Sequence, residues 1–319
     1  MAEGEVAHLA ERVLGQAQRV ITGKQEQVLL VLCALFAGRH VLIEDVPGTG
    51  KTLLVKALSK ALGAPYARLQ FTPDLLPSDV TGFSVYDPAD GSFHFRPGPI
   101  FHNLILVDEL NRASPKTQSS LLECMEEQQA TVDGISHPLP EPFFVLATEN
   151  PVEFEGTFRL PEAQLDRFGL RLSLGYPDHE TEAQLLLRAF VRDPLEAVEP
   201  VASMGDVLSA RARCAAVHLD SGLRRYIIDI LSAARDNHDI ALGPSPRAGM
   251  AIAALSQAHA AIAGRDYVLP DDIKAIAPAA LPHRIVLAPG ARWREQNPDA
   301  IVAHILRSVP VPTTAAHHR

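Results

Sequence analysis

Up to about residue 176 the chain alternates short apolar runs with stretches whose apolar positions recur every three or four residues. The runs HVLIE (40–44), YARLQF (66–71), LILVD (104–108), FFVLAT (143–148) and LRLSL (170–174) are mostly apolar. Strands of that kind are covered on both faces, so the pattern predicts a parallel sheet with crossover helices, an α/β fold. Two segments break the rhythm and predict hairpins. GFSVYDPADGSFHFRPG sets β-type residues on either side of a Pro-Ala-Asp-Gly turn, and ATVDGISHP centres on Asp133-Gly134, a pair suited to a two-residue turn. VRDPLEAVEPVAS carries two prolines and no clear period, as a linker would. Beyond about residue 203, Ala, Leu and Ile recur at helical spacing without a strong strand run. The expected layout is an α/β core over 1–190, a linker over 191–202 and a smaller helical unit over 203–319. A chain of 319 residues is long for one core, which also favours two packed units.

Composition narrows the class. Cys33, Cys124 and Cys214 are scattered and odd in number, so neither a disulfide framework nor a zinc site is expected, and a reducing cytoplasm fits. The start, MAEGEVAHLAERVLGQ, is amphipathic with early acidic residues and lacks a basic start and an apolar centre, so it is expected to stay with the mature chain. The strongest apolar run, Val28 to Ala37, is about half the ~20 residues a bilayer crossing needs, which predicts a buried helix and no membrane insertion. A net charge of −9 argues against nucleic acid as a partner, because polyanion binding needs a basic footprint.

The chemistry begins at HVLIEDVPGTGKT, residues 40–52. A strand, a Gly-containing turn and a helix starting at Lys51-Thr52 aim main-chain N–H groups and a helix N-terminus at an anion. Asp45 stands where the usual phosphate loop begins with glycine, but the closest approach to phosphates falls at Gly48, Thr49, Gly50, Lys51 and Thr52, with Pro47 and Leu53 flanking them. The cradle is therefore intact, provided that the carboxylates of Glu44 and Asp45 point away from it or are paired. Lys51 would contact the β- and γ-phosphates and the Thr52 hydroxyl would hold Mg²⁺, so ATP/ADP and Mg²⁺ are the expected cofactors. The strand LILVDE (104–109) ends in two carboxylates. Asp108 can reach the Mg²⁺ shell, and Glu109 is placed to polarise a water for in-line attack.

Three further residues extend the candidate site. Asn150, after FFVLATE, either hydrogen-bonds the attacking water or γ-phosphate or merely ends its strand in an Asn-Pro turn. Arg167, in LPEAQLDRF, either presents its charge to a neighbouring subunit's phosphate or forms an ordinary salt bridge in its own chain. Arg247, after Ser245-Pro246 at a helix start, could reach back to the nucleotide and sense whether it is bound.

Taken with VDELNRASPKTQSSLLECMEE, TVDG, FFVLATENPVEFEGTFRLPEAQLDRF and GPSPRAGMAI, these stretches resemble those of a MoxR-family AAA+ ATPase over most of residues 15–290. The resemblance implies an AAA+ P-loop core of five parallel strands with two β-hairpin inserts and an all-α lid. It also implies a homo-oligomeric ring, usually hexameric, with ATP bound between subunits. Lys51 and Thr52 would be the Walker A pair, Asp108 and Glu109 the Walker B pair, Asn150 sensor 1 and Arg247 sensor 2. Arg167 would be the arginine finger, with Arg112 and Arg159 as rival candidates. Such proteins are chaperone-like motors that remodel or activate partner proteins, commonly ones with a von Willebrand factor A domain, and help insert metal cofactors. The alternatives are a chelatase-type or gas-vesicle-type AAA+ subunit, or a nucleic-acid motor. The last would need cations on the inserts, and Arg96 is the one Lys or Arg in GFSVYDPADGSFHFRPG.

Overall fold

The structure is a computed structural model that describes residues 4–46, 48–151, 157–176, 179, 182–183, 194–292 and 297–312. Pro47, positions 191–193 of the expected linker and the histidine pair near the C-terminus lie outside the described residues.

Five strands, β1 (His40–Glu44), β2 (Tyr66–Gln70), β5 (Leu104–Asp108), β8 (Phe144–Glu149) and β9 (Phe168–Leu172), form one parallel sheet in the order β2-β5-β8-β1-β9. β5 is buried along its whole length, as its apolar sequence requires. Tyr66–Gln70 differs from the expectation of cover on both faces. It is an edge strand in which Leu69 alone is fully buried, and its alternate residues Arg68 and Gln70 are free to work at the sheet's rim. The last strand starts two residues before the expected 170. The chain leaves the sheet early because Leu174 and Gly175 donate their N–H groups to Asp45 instead of to a neighbouring strand.

Helices cover both faces. α1 (Glu5–Gln18) buries Val6, Leu9, Ala10, Val13 and Ala17, one stripe at helical spacing. It joins α2 (Gln25–Phe36), α3 (Lys51–Ala61) and the C-terminal helices in a single apolar cluster. The other face packs against α5 (Pro115–Glu127) in a second cluster that includes Phe71, Val107 and Leu121. Both hairpins form as expected. β3 (Gly82–Asp87) pairs with β4 (Ser92–Pro97), and β6 (Gln129–Val132) pairs with β7 (Ile135–Pro138) through Asp133 and Gly134, both at positive φ. The two inserts touch each other: the Phe95 ring stacks on His137 at 3.8 Å between centroids and 13° between planes.

Among its described residues the C-terminal unit is mainly helical, with a two-stranded ladder, β10 (Ile240–Leu242) with β11 (Val286–Leu287), and an isolated bridge between His218 and Tyr267. Its helix Pro246–Ile262 starts as the sequence suggests, with the Ser245 hydroxyl accepting from the N–H of Arg247 and Pro246 in the first turn.

Candidate active site

The carboxyl ends of parallel strands gather the groups that follow them, and here β1, β5 and β8 deliver the loop, the paired carboxylates and Asn150 to one rim. Gly48 and Gly50 take φ of 87° and 89°, the left-handed region in which a side chain is strained. A Cβ on Gly48 would meet no atom within 4 Å, so the loop curves around open space, as a phosphate cradle must. Thr52 and Leu53 lie in the first turn of α3, half-buried. The Lys51 ammonium donates to the carbonyls of Asp45 (2.9 Å) and Val46 (3.2 Å). Burial lowers its pKa, while Asp45, Asp108 and Glu109 oppose that fall. Thr49 also donates to Val46, at 3.4 Å.

Asp45 does not face the cradle. Its Oδ2 accepts from the N–H groups of Leu174 (2.8 Å) and Gly175 (2.9 Å), and its Oδ1 accepts from Val46 (3.0 Å). The residue that replaces a glycine thus bolts the exit of β1 to the exit of β9. Glu44 is paired with Arg171 at 3.0 Å, and Arg171 also reaches Asp299. Both acidic side chains are occupied away from the loop.

The two carboxylates after β5 have partners that the sequence did not reveal. Arg68 Nε donates to Asp108 Oδ2 at 2.6 Å, and Gln70 Nε2 donates to Glu109 Oε2 at 2.9 Å. Arg112 lies 3.2 Å from the same Glu109 oxygen. Glu109 itself holds a left-handed backbone (φ 58°), with its N–H donated to the Thr148 hydroxyl. The only available signal was alternation: Arg68 and Gln70 sit two apart on a strand whose neighbour in register ends at Asp108. Asn150 is buried and lines a cavity of about 260 Å³ with Glu149, Asn111 and Arg159. Glu149, opposite Glu44 across β1 and β8, has its carboxyl pushed up to about 7, first by burial and then by Glu44.

Arg167 and Arg247 are somewhere else. Both pair with Glu126 at the end of α5, Arg167 at 3.0 Å, and both line a second cavity of about 190 Å³ that includes Gly38, Arg39 and His40. His40 opens β1 and Arg167 directly precedes β9, so this cavity lies at the amino ends of the strands. One strand length, about 13 Å for five residues, separates it from the rim that bears the loop. The expectation that Arg247 reaches back to this chain's own loop is therefore not the arrangement found. The reason is local: Asp166 accepts from Ser245 Oγ (2.6 Å) and from Arg284 Nε (2.7 Å), which ties the start of the Arg247 helix to the turn that carries Arg167. His40 donates from Nε2 to the carbonyl of Met125 (3.2 Å) and accepts at Nδ1 from Val145 (3.0 Å), and so fixes the residue before Glu126. Burial pushes its pKa down to about 4, so the ring is neutral near pH 7.

Comparison with known proteins decides the family. The model for the ATPase family associated with various cellular activities (AAA) matches residues 40–170, and that for the AAA lid domain matches 232–305. The chain is 37% identical to Chaperone MoxR1 of Mycobacterium tuberculosis, over 99% of this chain and 86% of that protein. The chain belongs to the MoxR family of AAA+ ATPases. Another relative, Uncharacterized protein YeaC of Bacillus subtilis, is 48% identical over 98% of both chains. The crystal structure of a candidate ATPase from Cytophaga hutchinsonii superposes with a TM-score of 0.90 at 38% identity, covering 98% of each chain. The MoxR-family chain is thus an ATPase with an AAA+ core and a lid. None of its helices, among the described residues, is long and apolar enough to cross a membrane.

Proposed function

We propose that this ATPase hydrolyses Mg-ATP between neighbouring copies of itself in a closed ring, hexameric by resemblance to its family, and uses the turnover to remodel or activate a client protein. The observation that carries this reading is the separation of opposite charges: the loop and carboxylates occupy one rim of the sheet, while Arg167 and Arg247 occupy the other. No single chain can bring both sets to one triphosphate without breaking its sheet, whereas a head-to-tail ring brings them together at every interface. Arg112 and Arg159 lie on the loop's own rim, against Glu109 and Asn150, which favours Arg167 as the residue that acts in trans.

Within one interface the roles follow from chemistry. The main-chain N–H groups of residues 48–53 bind the phosphates, and Lys51 exchanges two loop carbonyls for phosphate oxygens. Thr52 and Asp108 would hold Mg²⁺, which supplies charge neutralisation of the β- and γ-phosphates. Both are oxygen donors of the type that ion prefers, and the cradle at Gly48 leaves open space of the kind phosphates need. Glu109 accepts the proton of the attacking water, Asn150 orients that water or the γ-phosphate, and the neighbour's Arg167 and Arg247 balance the charge that develops.

The inserts supply the contact with the client. Phe83, Tyr86, Phe93 and Ile135 are exposed on the two hairpins, Phe93 at 72%, and an apolar projection of this kind is suited to gripping another protein. Resemblance to the family favours a client with a von Willebrand factor A domain. The test is turnover against protein concentration with Mg-ATP in excess. Specific activity should climb steeply as rings assemble and then level off, and Glu109→Gln should abolish it; concentration-independent turnover would sink the reading.

A further inference from the structure

The cavity at the amino ends of the strands contains a third arginine. Arg39 directly precedes β1, and its stem lies against β9 at Gly169, where a Cβ would come 2.5 Å from the Arg39 Cβ. The absence of a side chain at 169 therefore lets the Arg39 guanidinium extend along this rim, where burial first and then the charge of Arg247 lower its pKa. Its Nε is buried and has no hydrogen-bond acceptor, a cost that native structures rarely leave unmet. Arg39, Arg167 and Arg247 face a single carboxylate, Glu126, and His40 is neutral, so two positive charges remain uncompensated.

Three cations around about 190 Å³, one of them with a buried Nε that lacks an acceptor, describe a receptor for a compact polyanion. Guanidinium forks match carboxylate and phosphate oxygens two at a time, and a terminal phosphate offers more oxygens and more charge to several forks than a carboxylate does. We propose that Arg39 is a third phosphate-binding arginine of this face, and that Glu126 is a built-in counter-ion which occupies the arginines until the phosphates of a second copy's nucleotide displace it. The inference rests on the trans arrangement above and adds two residues to it. Glu126 holds Arg167 and Arg247 in the unassembled chain and leaves the face with a net positive charge, and its displacement makes those two arginines available only where a neighbour's nucleotide is present.

The test separates this claim from the reading beneath it. At protein concentrations where wild-type turnover has levelled off, Arg39→Gln should lower turnover about tenfold or more. Mixing it with Glu109→Gln should restore activity, because interfaces form that combine an intact Glu109 with an intact Arg39 from the neighbour. The Arg167→Ala and Glu109→Gln pair is run in parallel. If that pair recovers activity and the Arg39 pair does not, Arg39 acts within its own chain and the inference is overturned; if neither recovers, the trans arrangement itself falls. A binding measurement with inorganic tripolyphosphate covers the case of a poorly folded variant. In a Lys51→Ala background, which disables the loop, Glu126→Gln should tighten tripolyphosphate binding on the order of tenfold, and adding Arg39→Gln should remove the gain. Equal affinities in all three proteins would refute the receptor.

Discussion

The two rims of the sheet carry opposite chemistry and treat it in the same way. On the loop's rim, Lys51 is held by main-chain carbonyls, Asp108 by Arg68, and Glu109 by Gln70 and Arg112. On the far rim, Arg167 and Arg247 are held by Glu126. Each half of a hydrolytic site is thus satisfied by local stand-ins, with a side chain or carbonyl where phosphate or a metal ion would be. Under the proposed trans arrangement the single chain is stable and inactive for the same reason, and assembly would replace the stand-ins on both rims at once. The rims also differ. The acidic rim is built on the sheet and its adjoining loops, whereas the arginine rim depends on the C-terminal helices, through Ser245, Asp166 and Arg284.

That contrast can be broken from either side. The largest effect is expected from Arg167→Ala, which should reduce turnover in the assembled state by about 10³-fold and weaken nucleotide binding far less, since most of its charge stabilisation falls on the transition state. Steady-state kinetics with a parallel nucleotide-binding titration would check this. Next, Asp45→Ala leaves the N–H groups of Leu174 and Gly175 without their acceptor, which should cost about 1–3 kcal/mol of stability in a denaturant titration. An unchanged midpoint would remove the bolt from the account.

A smaller change is expected from Arg68→Ala. In the proposed site the guanidinium would compete with Mg²⁺ for Asp108, and a pair with one half-exposed member contributes about 1 kcal/mol, so half-saturating Mg²⁺ should fall about fivefold. An increase would mean that Arg68 positions Asp108 for the metal instead of opposing it. The last test concerns pH. Glu149 keeps its proton in the folded chain up to about 7, whereas the unfolded chain releases it in the ordinary carboxylate range. The folded state binds more protons across that interval, so stability should fall as pH rises through it, and Glu149→Gln should flatten the slope. Melting temperatures at pH 5 and 8 for both proteins would measure the difference.

The strands and hairpins were legible because their signals are local. β1 and β5 are apolar runs with clear ends, and Asp133-Gly134 makes its own turn. The loop and its carboxylates were legible for the same reason. Arg39 and Glu126 were not, since Arg39 lies outside every motif, Glu126 is one of several acidic residues in VDELNRASPKTQSSLLECMEE with nothing to mark it, and the two meet only when β1, α5 and β9 pack together. The misplacement of Arg247 has the same origin: a helix start can be read from Ser245-Pro246, but the rim it faces is set by Asp166, 79 positions earlier in the chain. Asp45 lay between these cases. Its departure from the usual glycine was visible, while its purpose required knowing where β9 ends.

The central claim is that the two rims belong to one site shared by two copies, and mixing two inactive proteins tests it most directly. Glu109→Gln and Arg167→Ala subunits, each without turnover alone, should regain about a quarter of wild-type activity when combined equally at ring-forming concentration, because one interface in four then carries both intact residues. A mixture as inactive as its components would contradict the account.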